Sequence, residues 1–436
     1  MTFLLLLLYI ILIYFRPWQF YPELEPLRLA FTVGNFALAA AAIRFVVRGP
    51  YLIFKLPETY LFFGFVFMVV VSRVIAMAWL GGAVDAFLEF SAAFTMAVMI
   101  FLVVDSPRKL RIAAAAIAGS LMILVAMGAI AHYTQWEEEK FVLLQRTGEF
   151  DAAGERVVLK RIHAMGTLDD PNDFGQALLA ALPLLWPAWK SRRYFNNFVL
   201  VMLPGMFMLY GVFLTRSRGA VLGLMFMVAM HLRERMTRFR TVLPAAVALC
   251  AAVVLLAAAS GGRDISSDDE SAAGRVMAWR AGLTMLLQNP LTGVGYGQFA
   301  EHHVRAAHNS YVNCFAELGI FGYLFWLGLL IAMYTTLDSI TRMTPSDKDG
   351  EDVIRWARAV QFSLHGLLAT AFFLSRTYAP PFYIAVGLVI AVRVIASRVF
   401  EEPVPPLRLG VLFGRTAGIA FSSIAVIYVF VKVSGF

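Results

Sequence analysis

The sequence predicts an all-α polytopic membrane protein of about 12–13 transmembrane helices, with two long outer loops containing short amphipathic helices. Three observations lead there. Of 436 residues, 60% are hydrophobic and only 15% charged, whereas soluble domains carry about 25% charge. Windows of about 17 to 22 residues nearly free of charge recur along the whole chain, which is the length needed to cross a hydrocarbon core. Lys and Arg, finally, gather in alternate loops.

The apolar windows place spans at 2–16, 28–44, 59–79, 86–104, 111–131, 172–189, 197–214, 219–232, 242–260, 310–336, 355–375, 380–397 and 415–433. The first lacks a small-residue cleavage site and reads as a retained helix, not a signal peptide. Six alternate loops hold the cations Arg44/Arg48/Lys55, Arg108/Lys109/Arg111, Lys190/Arg192/Arg193, Arg233/Arg235/Arg238/Arg240, Arg342/Lys348/Arg355/Arg358 and Arg393/Arg398/Arg408. The positive-inside rule assigns these loops and the N-terminus to the cytoplasm. The net charge of +8 therefore belongs to topology and does not point to nucleic acid. The final stretch either spans, putting the C-terminus outside, or lies in the interface. Cys250 is expected mid-span and Cys314 near a span end, so a disulfide is not expected.

The chain divides into an N-terminal five-helix membrane region (1–131), an outer loop (132–171), central membrane helices with an outward Arg pair (172–260), a large outer loop (261–308) and C-terminal membrane helices (309–436). It shows no internal repeat, no Pro- or Ser-rich linker and no separable soluble domain.

Arg216, Arg218 and Arg376 fall on the outer side against the charge rule, as do the histidines His132, His163, His302, His303 and His308. Charges that close to hydrocarbon are expensive and are commonly retained for use. Three spans begin at the outer face beside such groups. Asp169-Asp170-Pro171-Asn172-Asp173 offers an Asp cap followed by Pro at the first helical position. The others begin after Ser217 and near Asn309-Ser310. Each start presents a positive dipole end outward. Arg161, Arg216, Arg218, Arg275, Arg280 and Arg305 add planar guanidinium groups suited to phosphate. An outward-facing anion site follows from topology and residue type. That the anion is a lipid diphosphate does not follow from these alone.

Residues 272–289 read as an amphipathic helix at the outer interface, with Val276, Trp279, Leu283, Leu286 and Leu287 on one stripe. The glycine-rich Pro290-Leu291-Thr292-Gly293-Val294-Gly295-Tyr296-Gly297 follows. No strand precedes it, so it reads as a tight re-entry turn and not a dinucleotide fingerprint. His302, His303 and His308 lack a completing carboxylate or thiol at ligand spacing apart from Glu301, and no metal site is expected. Blander readings stand beside these: a histidine at a helix start is commonly a cap, an interfacial Arg commonly snorkels to headgroups, and Asp169, Asp170 and Asp173 read as caps. Glu317 lies nine residues beyond His308, about 13 Å along a helix. That is too far to orient the ring, so Glu317 is expected to pair within the bundle. Arg73 is expected to pair with Asp85 or Glu89.

Thr215-Arg216-Ser217-Arg218-Gly219-Ala220, Gly274-Arg275 with Trp279, Pro290 to Phe299, His308-Asn309-Ser310-Tyr311 and Glu317-Leu318-Gly319, in that order, resemble the O-antigen ligase and O-antigen polymerase superfamily of bacterial envelope glycosyltransferases. The resemblance covers roughly residues 160 to 325; the first five spans match in hydropathy only. It implies an inner-membrane, multi-pass enzyme whose active site faces the periplasm. The implied donor is a glycan on undecaprenyl diphosphate. The implied acceptor is a lipid A-core sugar for a ligase, or a second lipid-linked glycan for a polymerase; membrane lipids are further partners. His308 is the expected general base. Arg216, Arg218 and Arg275 are the expected diphosphate ligands, with Arg161 and Arg305 as second choices. Direct displacement on a preactivated donor would invert the anomeric centre and needs no cofactor. The sequence leans to ligase type and leaves polymerase open. A transporter would show paired, broken half-spans and polar groups at the midplane, and a scaffold leaves the outer arginines unexplained.

Overall fold

The computed structural model describes residues 1–48, 53–150, 154–235 and 270–434. The expected span 242–260, with Cys250, and the loop cations Arg238 and Arg240 lie outside them. Among the described residues nine helices are long and apolar enough to cross a membrane, and the protein is a multi-pass helical bundle.

The first five helices are α1 (Thr2–Phe15), α2 (Leu29–Arg48), α3 (Pro57–Met77), α4 (Gly82–Val103) and α5 (Pro107–Thr134). α5 shows how the sequence sets a boundary: Pro107 opens it and the Ser106 side chain accepts from the Lys109 amide. After α5 the structure departs from expectation. The first long loop folds as an antiparallel hairpin, β1 (Val142–Phe150) with β2 (Arg156–Ile162), preceded by one helical turn. Val142 faces Ile162, and Leu143 faces Arg161. The β-branched residues Val157, Val158 and Ile162 suit a strand.

The expected span 172–189 is also different. α6 (Pro171–Ala181) ends after eleven residues and passes into 3-10 turns, Leu182–Ala188, that contain Pro183 and Pro187. Proline removes an amide and clashes with the preceding turn, so the regular helix stops. α7 (Leu203–Thr215) follows a π turn, and α8 (Arg218–Arg235) leaves the same end of the bundle. The second long loop holds α9 (Glu270–Gln288), the helix expected over 272–289. Trp279, Leu283 and Leu286 of its stripe are buried, but Leu287 is exposed.

The C-terminal region comprises α10 (Ser310–Thr341), α11 (Lys348–Ala371), α12 (Pro380–Val399) and α13 (Leu409–Val433). α12 is central: every residue from Pro380 to Ala396 is buried. Arg393, expected in a loop, is instead inside α12. It is 6% exposed and donates to both oxygens of Glu58 on α3, at 2.6 and 2.7 Å. Thr336 of α10 also donates to Glu58. Arg44 with Asp105, and Arg111 with Asp352, join further loop charges at this end of the bundle. α13 is a 25-residue helix lying along α10: Ser423 Oγ is 2.8 Å from Tyr323 Oη, and Phe430 packs on Trp279 of α9.

α10 is broken at Gly319, which has φ 63° and ψ −165°. The glycine-rich turn fills the break. Val294 and Gly295 amides donate to the Ala316 and Glu317 carbonyls at 3.0 and 2.9 Å, and the Ile320 amide donates to Pro290 O at 2.8 Å. Backbone groups freed inside an apolar bundle are thereby paired again. A Cβ on Gly319 would lie 2.4 Å from the Leu291 carbonyl carbon. Gly319→Ala is expected to destabilise the protein by about 1–3 kcal/mol, because rigid backbone stands in the way; thermal unfolding in micelles measures it.

Candidate functional site at one end of the bundle

Three helix starts converge at the end opposite the Glu58–Arg393 pair, and each is capped by a side chain. Asp170 accepts from the Asn172 amide at 2.7 Å, Ser217 from the Ala220 amide at 3.2 Å, and Asn309 from the Tyr311 and Val312 amides at 2.9 and 3.2 Å. The caps at Asp170 and Asn309 were legible in the sequence. They leave the remaining first-turn amides, and the positive ends of the dipoles, pointing the same way.

The loop between α11 and α12 binds these starts together. Ser310 Oγ donates to Leu374 O at 2.5 Å and accepts from the Arg376 amide at 2.9 Å, and Thr377 Oγ1 donates to Ser310 O at 2.9 Å. The Arg376 guanidinium forms a two-pronged pair with Asp173 of α6, whose carboxylate is 3% exposed. Gly219 lies against Phe373, and Gly175 against Ala220. Arg376 had drawn notice only as a charge on the unexpected side; its partner is 203 residues away, and no local pattern shows the pairing.

His308 stands in this cluster with a left-handed backbone, φ 46°, immediately before the Asn309 cap. Trp279 of α9 donates to the Ala307 carbonyl at 2.8 Å and so fixes the segment leading into it. The ring keeps an open side. Partial desolvation nonetheless pushes its pKa below the ordinary histidine value. The positive charges of Arg275 and Arg376 push the same way, and Asp170 opposes them. These couplings bring α6, α9 and the α11–α12 loop together around one imidazole. The Asn309 amide nitrogen beside it is buried and has no hydrogen-bond partner among the described residues.

The structure treats the five expected arginines differently. Arg275 is half-buried on α9 and close enough to His308 to shift its titration. Arg305 rests on Gly274, where a Cβ would be 2.0 Å from its guanidinium nitrogen, so it neighbours Arg275. Arg216 caps α7 with φ 51° and lies over the Phe213 ring at 4.4 Å. Arg218 opens α8 and is exposed. Arg161 is 6% exposed and donates to Thr215 O at 2.9 Å, Gln145 Oε1 at 3.1 Å and Asn172 Oδ1 at 3.0 Å. Its fork therefore ties the hairpin to the end of α7 and the start of α6.

Glu317 pairs within the bundle, with backbone: it accepts from the Gly297 and Phe299 amides at 3.1 and 3.0 Å. Arg73 faces Glu89 at 3.8 Å and also donates to Tyr296 O at 2.7 Å, linking α3 to the glycine-rich turn. Among the described residues no group of three His, Cys, Asp or Glu side chains could hold a metal ion.

A family model described as O-antigen ligase matches residues 203–327. No curated protein matches the chain. The matched stretch opens with α7 and contains α8, α9, the glycine-rich turn, His308 and the first half of α10. Over this stretch the chain is similar to the O-antigen ligase family.

Proposed function

We propose, from the O-antigen ligase match over residues 203–327, that this membrane protein transfers a glycan from undecaprenyl diphosphate to an acceptor hydroxyl at the periplasmic face of the inner membrane, in the manner of a ligase using a lipid A-core sugar. The observation that carries the reading is the position of His308. It is a solvent-accessible imidazole under the influence of Arg275 and Arg376, beside three converging helix starts.

In the proposed step the acceptor oxygen attacks the anomeric carbon, and the bond from that carbon to the diphosphate oxygen breaks. His308 takes the acceptor's proton, and the undecaprenyl diphosphate departs with the electron pair. Attack opposite the leaving group inverts the anomeric centre. The leaving group is already good, so the protein's contribution is orientation and neutralisation of charge. Arg275 and Arg305, together on α9 and the segment before His308, suit the diphosphate, and Arg216 and Arg218 supply a second pair across the cluster. Arg161 we assign to holding the hairpin, because three of its five donors already bond protein. No resident cofactor or metal has a role in the step.

Polymerase activity uses the same donor chemistry with a second lipid-linked glycan as acceptor. Purified protein given undecaprenyl-diphosphate glycan, with or without lipid A-core, tests the reading. Transfer to lipid A-core supports ligase type, chain growth without it makes the protein a polymerase, and no turnover in either arm removes the proposal.

The pH profile gives a second test. A general base works in its neutral form, so activity is present above the pKa of His308 and lost as pH falls through it. Since the shift is downward, the acid limb is expected below the ordinary histidine value of about 6.5. Arg275→Gln removes one of the charges that depress it, and the limb is expected to move to higher pH. A limb at or above the ordinary value in the native protein contradicts His308 as base.

A further inference from the structure

A cavity of about 490 Å³ opens between α9, α10 and α13. Leu283 and Leu287 of α9, Leu324 of α10 and Phe421 of α13 are among its walls, and Arg280 and Lys432 are its two cations. The exposure of Leu287, out of keeping with its place on the apolar stripe, has its explanation here: it faces the groove and not the core.

Both cations belong to the same end of the groove. Arg280 follows Trp279, and Trp279 packs on Phe430, two residues before Lys432. Lys432 also stands over the Tyr428 ring at 5.9 Å. α13 runs back from there along α10, with Ser423 against Tyr323 and Thr416 beside Gly328. The groove is thus an apolar trough with its positive charge at the end shared with the His308 cluster. That polarity fits an amphiphile with an anionic head and a hydrocarbon tail.

We propose that the groove between α9, α10 and α13 binds one acyl chain of an anionic phospholipid, with the headgroup phosphate held by Arg280 and Lys432. The lipid would fill the gap between α13 and α9, the helix that carries Arg275 and Trp279. Bulk annular lipid would wet the same surface without regard to headgroup. Preference for negative charge is what distinguishes a site.

The test is native mass spectrometry of the full-length protein exchanged into micelles containing equal amounts of phosphatidylglycerol and phosphatidylethanolamine. Native protein is expected to retain one phosphatidylglycerol per chain in preference to phosphatidylethanolamine. Arg280→Gln with Lys432→Gln is expected to reduce that retention by at least about tenfold through loss of two charge-assisted contacts. Ala425→Phe, which leaves both cations and fills the trough, is expected to reduce retention as well. Equal retention of the two lipids, or selective retention unaffected by either variant, overturns the proposal. So does polyprenyl diphosphate displacing phosphatidylglycerol one for one, which would assign the groove to the donor. The readout is bound lipid, so failure of the glycan-transfer reading leaves this test intact.

Discussion

Replacing His308 with alanine is expected to lower glycan transfer by about 10²–10⁴-fold, the usual contribution of a general base, while leaving the fold and donor binding in place. Nothing in the packing argues for collapse. The ring has an open side, and the segment is held by Trp279 through the Ala307 carbonyl and by the Asn309 cap, both of which survive the substitution. Single-turnover transfer measured beside donor binding separates the two effects. The arginine variants should behave in the opposite sense: loss of Arg275 or Arg305 should weaken donor binding along with turnover. Unchanged transfer in His308→Ala excludes it from the chemistry and leaves it as an interfacial residue before a helix cap.

The largest expected change in stability comes from the opposite end. Arg393→Met leaves Glu58 with 0% exposure, facing Thr336 and no cation. A buried pair broken on one side typically costs about 3–5 kcal/mol. The double variant Glu58→Leu with Arg393→Met removes both charges and should recover most of that loss, because an apolar replacement of a buried pair is often close to neutral. Thermal unfolding of the single and double variants in one detergent measures the difference. If the double variant is no more stable than the single, the pair matters through packing of α3, α10 and α12 and not through its charge.

Most of the helix plan was legible because a membrane span announces itself by composition. Twelve of the expected spans fall on described residues; 172–189 is interrupted at prolines the apolar window had absorbed, and 310–336 at Gly319. The caps at Asp170 and Asn309 were legible for a similar reason: the capping residue and the helix it starts are adjacent in sequence. What escaped notice depends on contacts between distant segments. The break in α10 was marked by Gly319, but nothing near it says that residues 290–295 supply the missing hydrogen bonds. Arg161 has acceptors on β1, on α6 and at the end of α7, a meeting that no local pattern shows. Arg376 finds Asp173 across more than two hundred positions. The hairpin of 142–162 is a local failure: the β-branched residues Val157, Val158 and Ile162 were present, but no clean alternation marks either strand in a chain otherwise read for helices.

The broken helix α10 has a consequence for how the protein is made. Until the 290–297 turn docks, the carbonyls of Ala316 and Glu317 and the amide of Ile320 have lost their helical partners inside a nonpolar environment. The span and the segment that delivers His308 are therefore one cooperative unit, and neither can reach its final hydrogen-bonded state alone. A newly inserted chain with this segment undocked would hold a weak span as well as an incomplete site. Quality control that senses unstable membrane helices would remove such chains, so the molecules that persist in the bilayer would be those whose outer cluster is already assembled.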